Sequence, residues 1–258
     1  YKLSPFFFEH YINNFILKKT KDKYDLIFVK SSEFISENLI KELKIRSKKI
    51  IAYIPDNPFV KRDKKRWSFF KNAAAHYDKL VFIQKSRIGL AKKNNLKNTY
   101  LVWPSFEQHI HKKHHISKIE KKRYKNEIVF IGTWFPERGK FFYKLNKLGL
   151  NIKIYGTRWK KDPNFEFMKK NITLGHVGNP KYSKIIQCSK ISLCLPSKEN
   201  MDDITIRNVE IPAIGTLLCA ERTPEALKLL KENKEAIYFK DVKECFDICN
   251  TFLNNKKN

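Results

Sequence analysis

Ten short runs of apolar, largely β-branched residues punctuate this chain, and a stretch of helical period separates each from the next. In the first half they are DLIFVKSS (25–32), KIIAYIPD (49–56), DKLVFIQK (78–85) and TYLVWPSF (99–106). In the second they are EIVFIGTW (127–134), NIKIYGTRW (151–159), NITLGHVG (171–178), KISLCLPS (190–197), TLLCAER (216–222) and AIYFKD (236–241). Apolar runs without polar alternation suit strands buried on both faces. A strand–helix rhythm implies parallel pairing, because parallel neighbours need a crossover long enough to hold a helix. The pattern predicts an α/β fold built twice: two Rossmann-like, doubly wound domains facing each other across a cleft.

The break between the halves falls in EQHIHKKHHISKIEKKRYK (107–125), which has no strand character. The expected domains are residues 1–118 and 119–258. The opening YKLSPFFFEHYINNFILKK reads as a helix where such a domain normally opens on a strand. The first strand of the N-terminal domain, with its glycine loop, is therefore expected to be missing from this sequence.

Composition narrows the partners. With 42% hydrophobic residues the chain can bury a core, and disorder is excluded. The net charge of +27 favours polyanions or anionic membrane surfaces. Only nine of the 53 basic side chains are arginine, however, and readers of nucleic acid usually need arginine's planar fork. Nucleic acid is thus a disfavoured partner, and peripheral contact with an anionic membrane is retained. No apolar stretch reaches the ~20 residues that span a bilayer. The five cysteines (188, 194, 219, 245 and 249) form no C-x-x-C pair, which predicts reduced, buried thiols and a cytoplasmic protein. The histidines of HIHKKHH (His109, His111, His114 and His115) sit in a connector, so no metal site is expected there.

Motif absences exclude other chemistries. There is no G-x-G-x-x-G, no P-loop and no G-x-S-x-G elbow, which removes the main support for dinucleotide oxidoreductases, P-loop kinases and serine hydrolases. What remains lies at strand ends. FIGTWFPERGK leaves its strand through Gly132 and Thr133 and enters a helix carrying Arg138 and Lys140, a place where backbone N–H groups could receive a phosphate. A solvated first turn is the competing reading for Arg138. IYGTRW repeats the arrangement with Gly156 and Arg158, and GHVGNP follows the third strand with His176 and Val177, where a plain turn competes. Ligands in open α/β sheets bind outside the carboxyl ends of strands. Arg207 and Glu210, three apart, share a helix face and could enter one cleft or form a surface ion pair. In the first half IPDNPF places Asp56 and Asn57 at a strand end, as acceptor-side or sugar-side candidates or as a structural turn.

FIGTWFPERGKFF, IYGTRW, YSKIIQCSKISLCLPS and RNVEIPAIGTLLCAERTPE occur in an order that resembles the glycosyltransferase family related to the spore maturation protein CgeB. That family looks like a branch of the retaining GT-B glycosyltransferases, and the likeness covers most of residues 126–241. It implies a GT-B fold with a nucleotide sugar held by the second domain and transferred to an unidentified acceptor, with retention and without metal or other cofactor. By the same resemblance Glu210 would bind the ribose hydroxyls, and Arg138, Lys140 and Arg207 the diphosphate. His176 and Val177 would border the base, Trp134 would pack, and Asp202 would stand where such enzymes carry a second acid. The rival class is a non-catalytic scaffold that binds an anionic glycan or nucleic acid.

Overall fold

The structure is a computed structural model that describes residues 5–254. All ten apolar runs form strands, and every pairing is parallel. The chain divides into two compact units: residues up to Trp103 together with Glu199–Asp202, and Pro104–Lys198 together with the chain from Asp203 onward.

In the first unit α1 (Glu9–Lys19) precedes β1 (Tyr24–Lys30), α2 (Glu37–Ile45), β2 (Ser47–Ile54), α3 (Ser68–Ala73), β3 (Lys79–Phe82), α4 (Lys85–Lys93) and β4 (Thr99–Leu101). Of the opening segment, residues 5–19 are helical and residues 1–4 lie outside the described residues. The strand order is β1-β2-β3-β4, so the chain moves in one direction across the sheet. Right-handed crossovers then place every helix on the same face. That face carries the core: Ile50, Ala52, Ile54, Leu80 and Phe82 pack against Leu39, Ile40 and Leu43 of α2 and Trp67 and Phe70 of α3. Ser36 accepts a hydrogen bond from the Leu39 N–H (3.3 Å) and so caps α2. The opposite face, with Leu26, Phe28, Ile51, Tyr53, Val81 and Tyr100 in register, carries no helix among the described residues of this unit. The doubly wound arrangement belongs to the second unit alone.

There α5 (Lys118–Tyr124) leads into β5 (Asn126–Ile131), α6 (Pro136–Lys147), β6 (Ile152–Gly156), α7 (Phe165–Met168), β7 (Ile172–Leu174) and α8 (Lys181–Gln187). β8 (Ser189–Cys194), α9 (Arg207–Ile214), β9 (Leu217–Glu221), α10 (Pro224–Leu229), β10 (Ile237–Phe239) and α11 (Val242–Asn254) follow. The order β10-β9-β8-β5-β6-β7 is the two-directional winding of a dinucleotide-binding sheet. Alternate strand residues feed two cores. Ile128, Phe130, Ile152, Ile154, Ile191 and Leu193 meet α6, α7 and α11. Val129, Ile131, Tyr155, Leu218 and Ala220 meet α8, α9 and α10. Burial on both faces explains why these strands lack polar alternation in the sequence.

The expected boundary at residue 118 moves to 103, because residues 104–118 are fastened to the second unit. Ser183 Oγ donates to the Ile110 carbonyl (3.0 Å), and the Gln187 amide both donates to and accepts from the His114 backbone (3.0 and 2.7 Å). No helix among the described residues is long and apolar enough to cross a membrane.

Candidate functional site

In the second sheet the chain reverses direction between β5 and β8, the kind of switch point outside which open α/β sheets bind ligands. Arg138, in the first turn of α6, stands at that point. Its Nη1 donates to the Thr133 carbonyl after β5 (2.9 Å) and its Nη2 to the Leu195 carbonyl after β8 (2.6 Å). Its guanidinium lies over the rings of Phe135 (4.9 Å) and Phe130 (5.5 Å), and the residue is only 7% exposed. Both terminal nitrogens of the fork thus donate to backbone carbonyls, so Arg138 joins the two loops and holds a positive charge between them.

Gly132 and Gly156 also serve the framework. The Gly132 N–H donates to the Tyr155 carbonyl (2.9 Å) and so is not open to an anion, while its own carbonyl accepts from Trp159 Nε1 (2.9 Å). A Cβ on Gly156 would overlap the Gly132 carbonyl oxygen, which is why β5 and β6 can end so close together. The Thr133 hydroxyl meets that of Thr157 (3.2 Å), and Trp134 packs as expected while its Nε1 donates to Asp162 (2.7 Å). The side chains open to solvent at the carboxyl edge are Lys140, Arg158 and His176, with Val177 packed partly into the core. Arg158 has φ 67, a left-handed conformation that is uncommon outside glycine and that recurs at functional sites. No side chain caps the first turn of α6, where Pro136 is the opening residue.

On the far side of β8, α9 presents Arg207 and Glu210. Glu210 is 6% exposed, and among the described residues no ion pair joins it to Arg207, so the surface-pair reading fails. Its Oε2 accepts from the Tyr182 hydroxyl (2.8 Å) and its Oε1 lies 3.3 Å from His111 Nε2. His111 Nδ1 accepts the Glu107 N–H (3.0 Å), which places the ring hydrogen on Nε2, facing the carboxylate. Arg207 lies over the Tyr182 ring (6.0 Å). Among the described residues, Arg207 Nε and Glu137 Oε1 are buried without a hydrogen-bond partner, as happens where a ligand supplies the missing one. Burial pushes the Tyr182 hydroxyl well above its ordinary value. The Cys194 thiol, at the end of β8, is raised by burial and also feels Arg207, Arg138 and Glu210. Those three charges thus surround one strand end.

Asp56, Asn57 and Asp202 belong to the first unit. Asn57 is fully buried, and its side chain donates to the Asn200 carbonyl (3.1 Å) and accepts from the Phe59 N–H (3.1 Å). It is a structural turn, sealed from any substrate. Asp202 Oδ1 accepts from Arg87 (2.6 Å), Asn200 (2.7 Å) and Gln84 (3.0 Å). With Arg87 only 1% exposed, this carboxylate is the counter-charge a buried guanidinium needs, not an acid free to meet a sugar. Asp56 is half-exposed and lies 3.3 Å from Arg66, itself paired with Glu33.

His111, Tyr182 and Arg87 were missed by sequence reasoning. Arg87 carried a signal, as one of nine arginines in a lysine-rich chain; the Tyr182–Glu210 contact carried none. The histidine tract does not converge, since His111 faces Glu210 and His114 Nε2 faces the Ile110 carbonyl (2.9 Å). The group of possible metal donors among the described residues is Cys219, Cys245 and Cys249.

Residues 138–258 match the family described as glycosyl transferase-like. No curated protein sequence matches the chain. Among solved structures it is similar to Anabaena Alr3699/HepE in complex with UDP-glucose, with a TM-score of 0.63 and 10% identity over 90% of this chain and 69% of that one. It is also similar to the UDP-forming α,α-trehalose-phosphate synthase of Burkholderia xenovorans in complex with glucose-6-phosphate, with a TM-score of 0.66 and 10% identity over 97% and 71% of the two chains. A putative UDP-N-acetylglucosamine 2-epimerase of Listeria monocytogenes shares the fold at a TM-score of 0.55 and 10% identity, over 96% and 69%. The chain therefore shares with these structures the GT-B type of fold, two parallel-sheet Rossmann-like halves, and its residues 138–258 are similar to the glycosyl transferase-like family.

Proposed function

We propose that this protein transfers a glycosyl group from a nucleoside-diphosphate sugar, and that the nucleotide binds at the carboxyl edge of the second sheet. The observation that carries the reading is the gathering of Arg138, Arg207 and Glu210 around the end of β8, at the switch point of a sheet in the part of the chain similar to the glycosyl transferase-like family. Glu210, fixed by Tyr182 and His111, keeps lone pairs for the ribose diol, because each carboxylate oxygen accepts more than one hydrogen bond. Arg207, Arg158 and Lys140 meet the diphosphate, with the uncapped end of α6 and the Arg138 charge adding to the positive field. Such charge acts most where it develops, on the departing nucleoside diphosphate. Val177 and His176 border the base. The complex of HepE with UDP-glucose supports a UDP-sugar as donor. Retention of configuration, independence from a divalent ion, descent from the CgeB-like branch, the domain roles assigned to the two halves and a cytoplasmic setting on an anionic membrane belong to the same proposal.

Calorimetric titration with UDP, GDP, ADP and dTDP tests it. One of them binds, and Glu210→Gln lowers its affinity by about one to two orders of magnitude, since a hydrogen bond to a charged group contributes roughly 1.5–3 kcal/mol. Unchanged affinity in that variant rules out the ribose assignment. Activity surviving EDTA and an NMR assignment of the product anomer test the finer parts.

A further inference from the structure

Cys219 on β9 and Cys245 and Cys249 on α11 bring their Sγ atoms within 4.8 Å of one another, and all three residues are fully buried. They lie on the face of the second sheet that packs against α6, α7 and α11, opposite the face that holds Glu210. The i, i+4 spacing of Cys245 and Cys249 turns both thiols to one side of α11, and Cys219 rises from the strand beneath. Three thiols in so apolar a setting are more than packing requires.

We propose that Cys219, Cys245 and Cys249 form a three-coordinate site for a soft monovalent metal ion, Cu(I). The donor set chooses the ion. Sulfur ligands favour soft metals. A structural zinc site is four-coordinate, and no fourth His, Cys, Asp or Glu donor joins this group among the described residues. Metal–sulfur bonds of about 2.3 Å hold three sulfurs around a trigonal centre about 4 Å apart, which the trio reaches by a small inward movement.

Thiolate, not thiol, is the ligating form, so each cysteine that binds the ion gives up its proton to solvent as its Cu–S bond forms. No electron is transferred. Entry requires local opening of α11. Occupancy would then pin α11 to β9.

The experiment is an anaerobic titration of the whole protein with Cu(I) against a chromogenic Cu(I) chelator, with Zn(II) in a parallel arm. One equivalent of copper is retained, the melting temperature rises, and zinc is not held. Cys249→Ser and Cys219→Ser each weaken retention by at least roughly 10- to 100-fold, as even losses around a metal's ligands do. Cys188→Ser, outside the trio, leaves it unchanged and reports on copper held elsewhere. Failure to retain copper, both by the native protein and after refolding with Cu(I) present, overturns the proposal. So does equal retention by a folded Cys219→Ser/Cys249→Ser variant.

Discussion

Asp202 and Glu210 are both acids near helix α9, and only their partners separate their roles. Asp202 neutralises Arg87, a guanidinium with almost no access to water. Asp202→Asn is therefore predicted to destabilise the protein by about 3 kcal/mol, because removing one partner of a buried pair strands the other. Urea unfolding measures this; unchanged stability together with lost transferase activity would restore a catalytic role. Tyr182→Phe takes a donor from the buried Glu210 carboxylate, and a loss of about 1–3 kcal/mol is expected in the same measurement. The sequence showed that Asp56–Asn57 precedes a proline and that Glu210 follows Arg207 by three residues. It could not show which polar groups would be sealed. That depends on contacts such as Asn57 with Asn200 and Tyr182 with Glu210, made between segments far apart in the chain.

Elements were more legible than side chains. Parallel strands covered on both faces must be apolar throughout, so all of β5 to β10 could be read as runs without alternation. β1 was found by the same criterion although one of its faces carries no helix among the described residues, because Leu26 and Phe28 are apolar even where exposed. The segment 107–125 reads as a connector for the converse reason: polar composition conceals hydrogen bonds such as Ser183 to Ile110. Gly156→Ala is predicted to cost at least the 1–3 kcal/mol typical of overpacking, since backbone and not a movable side chain blocks the new Cβ. Thermal unfolding measures that loss. Helix α5 carries a pH signature. Ser117 and Glu120 form a capping box, and Glu120 also accepts from Lys184 (2.6 Å). The Lys184 bond, followed by the Ser117 N–H, lowers the Glu120 carboxyl from its ordinary 4.5 to about 2. A depressed acid stabilises the fold above its unfolded value, so this contribution is complete above pH 4.5 and is lost as pH falls through about 2. Glu120→Gln should flatten the acid limb of the stability curve across that window, as followed by circular dichroism.

For the whole molecule, charge and winding have separate effects. A net charge of +27 repels itself, and raising salt from about 0.01 M to 0.1 M shortens the screening length from about 30 Å to 10 Å. The melting temperature is predicted to rise over that range, and a flat response would show that the charges are already compensated. The sheet face of the first unit that exposes Leu26 and Phe28 should bind a hydrophobic dye, with Phe28→Thr weakening the signal; an unchanged signal would place the dye elsewhere. The two windings also differ in what each sheet demands of a chain still searching for its fold. In the first unit each strand pairs with the strand before it in sequence, so the sheet can grow by successive local additions. In the second, β5 must find β8 about 60 residues further on, and closing a longer loop exacts more entropy. Arg138 bridges the loops that leave these same two strands. The end of β8, where the nucleotide is proposed to bind, therefore takes its shape only when the longest-range pairing in its sheet is complete, and a ligand bound there would act as a clamp on that pairing, retarding unfolding.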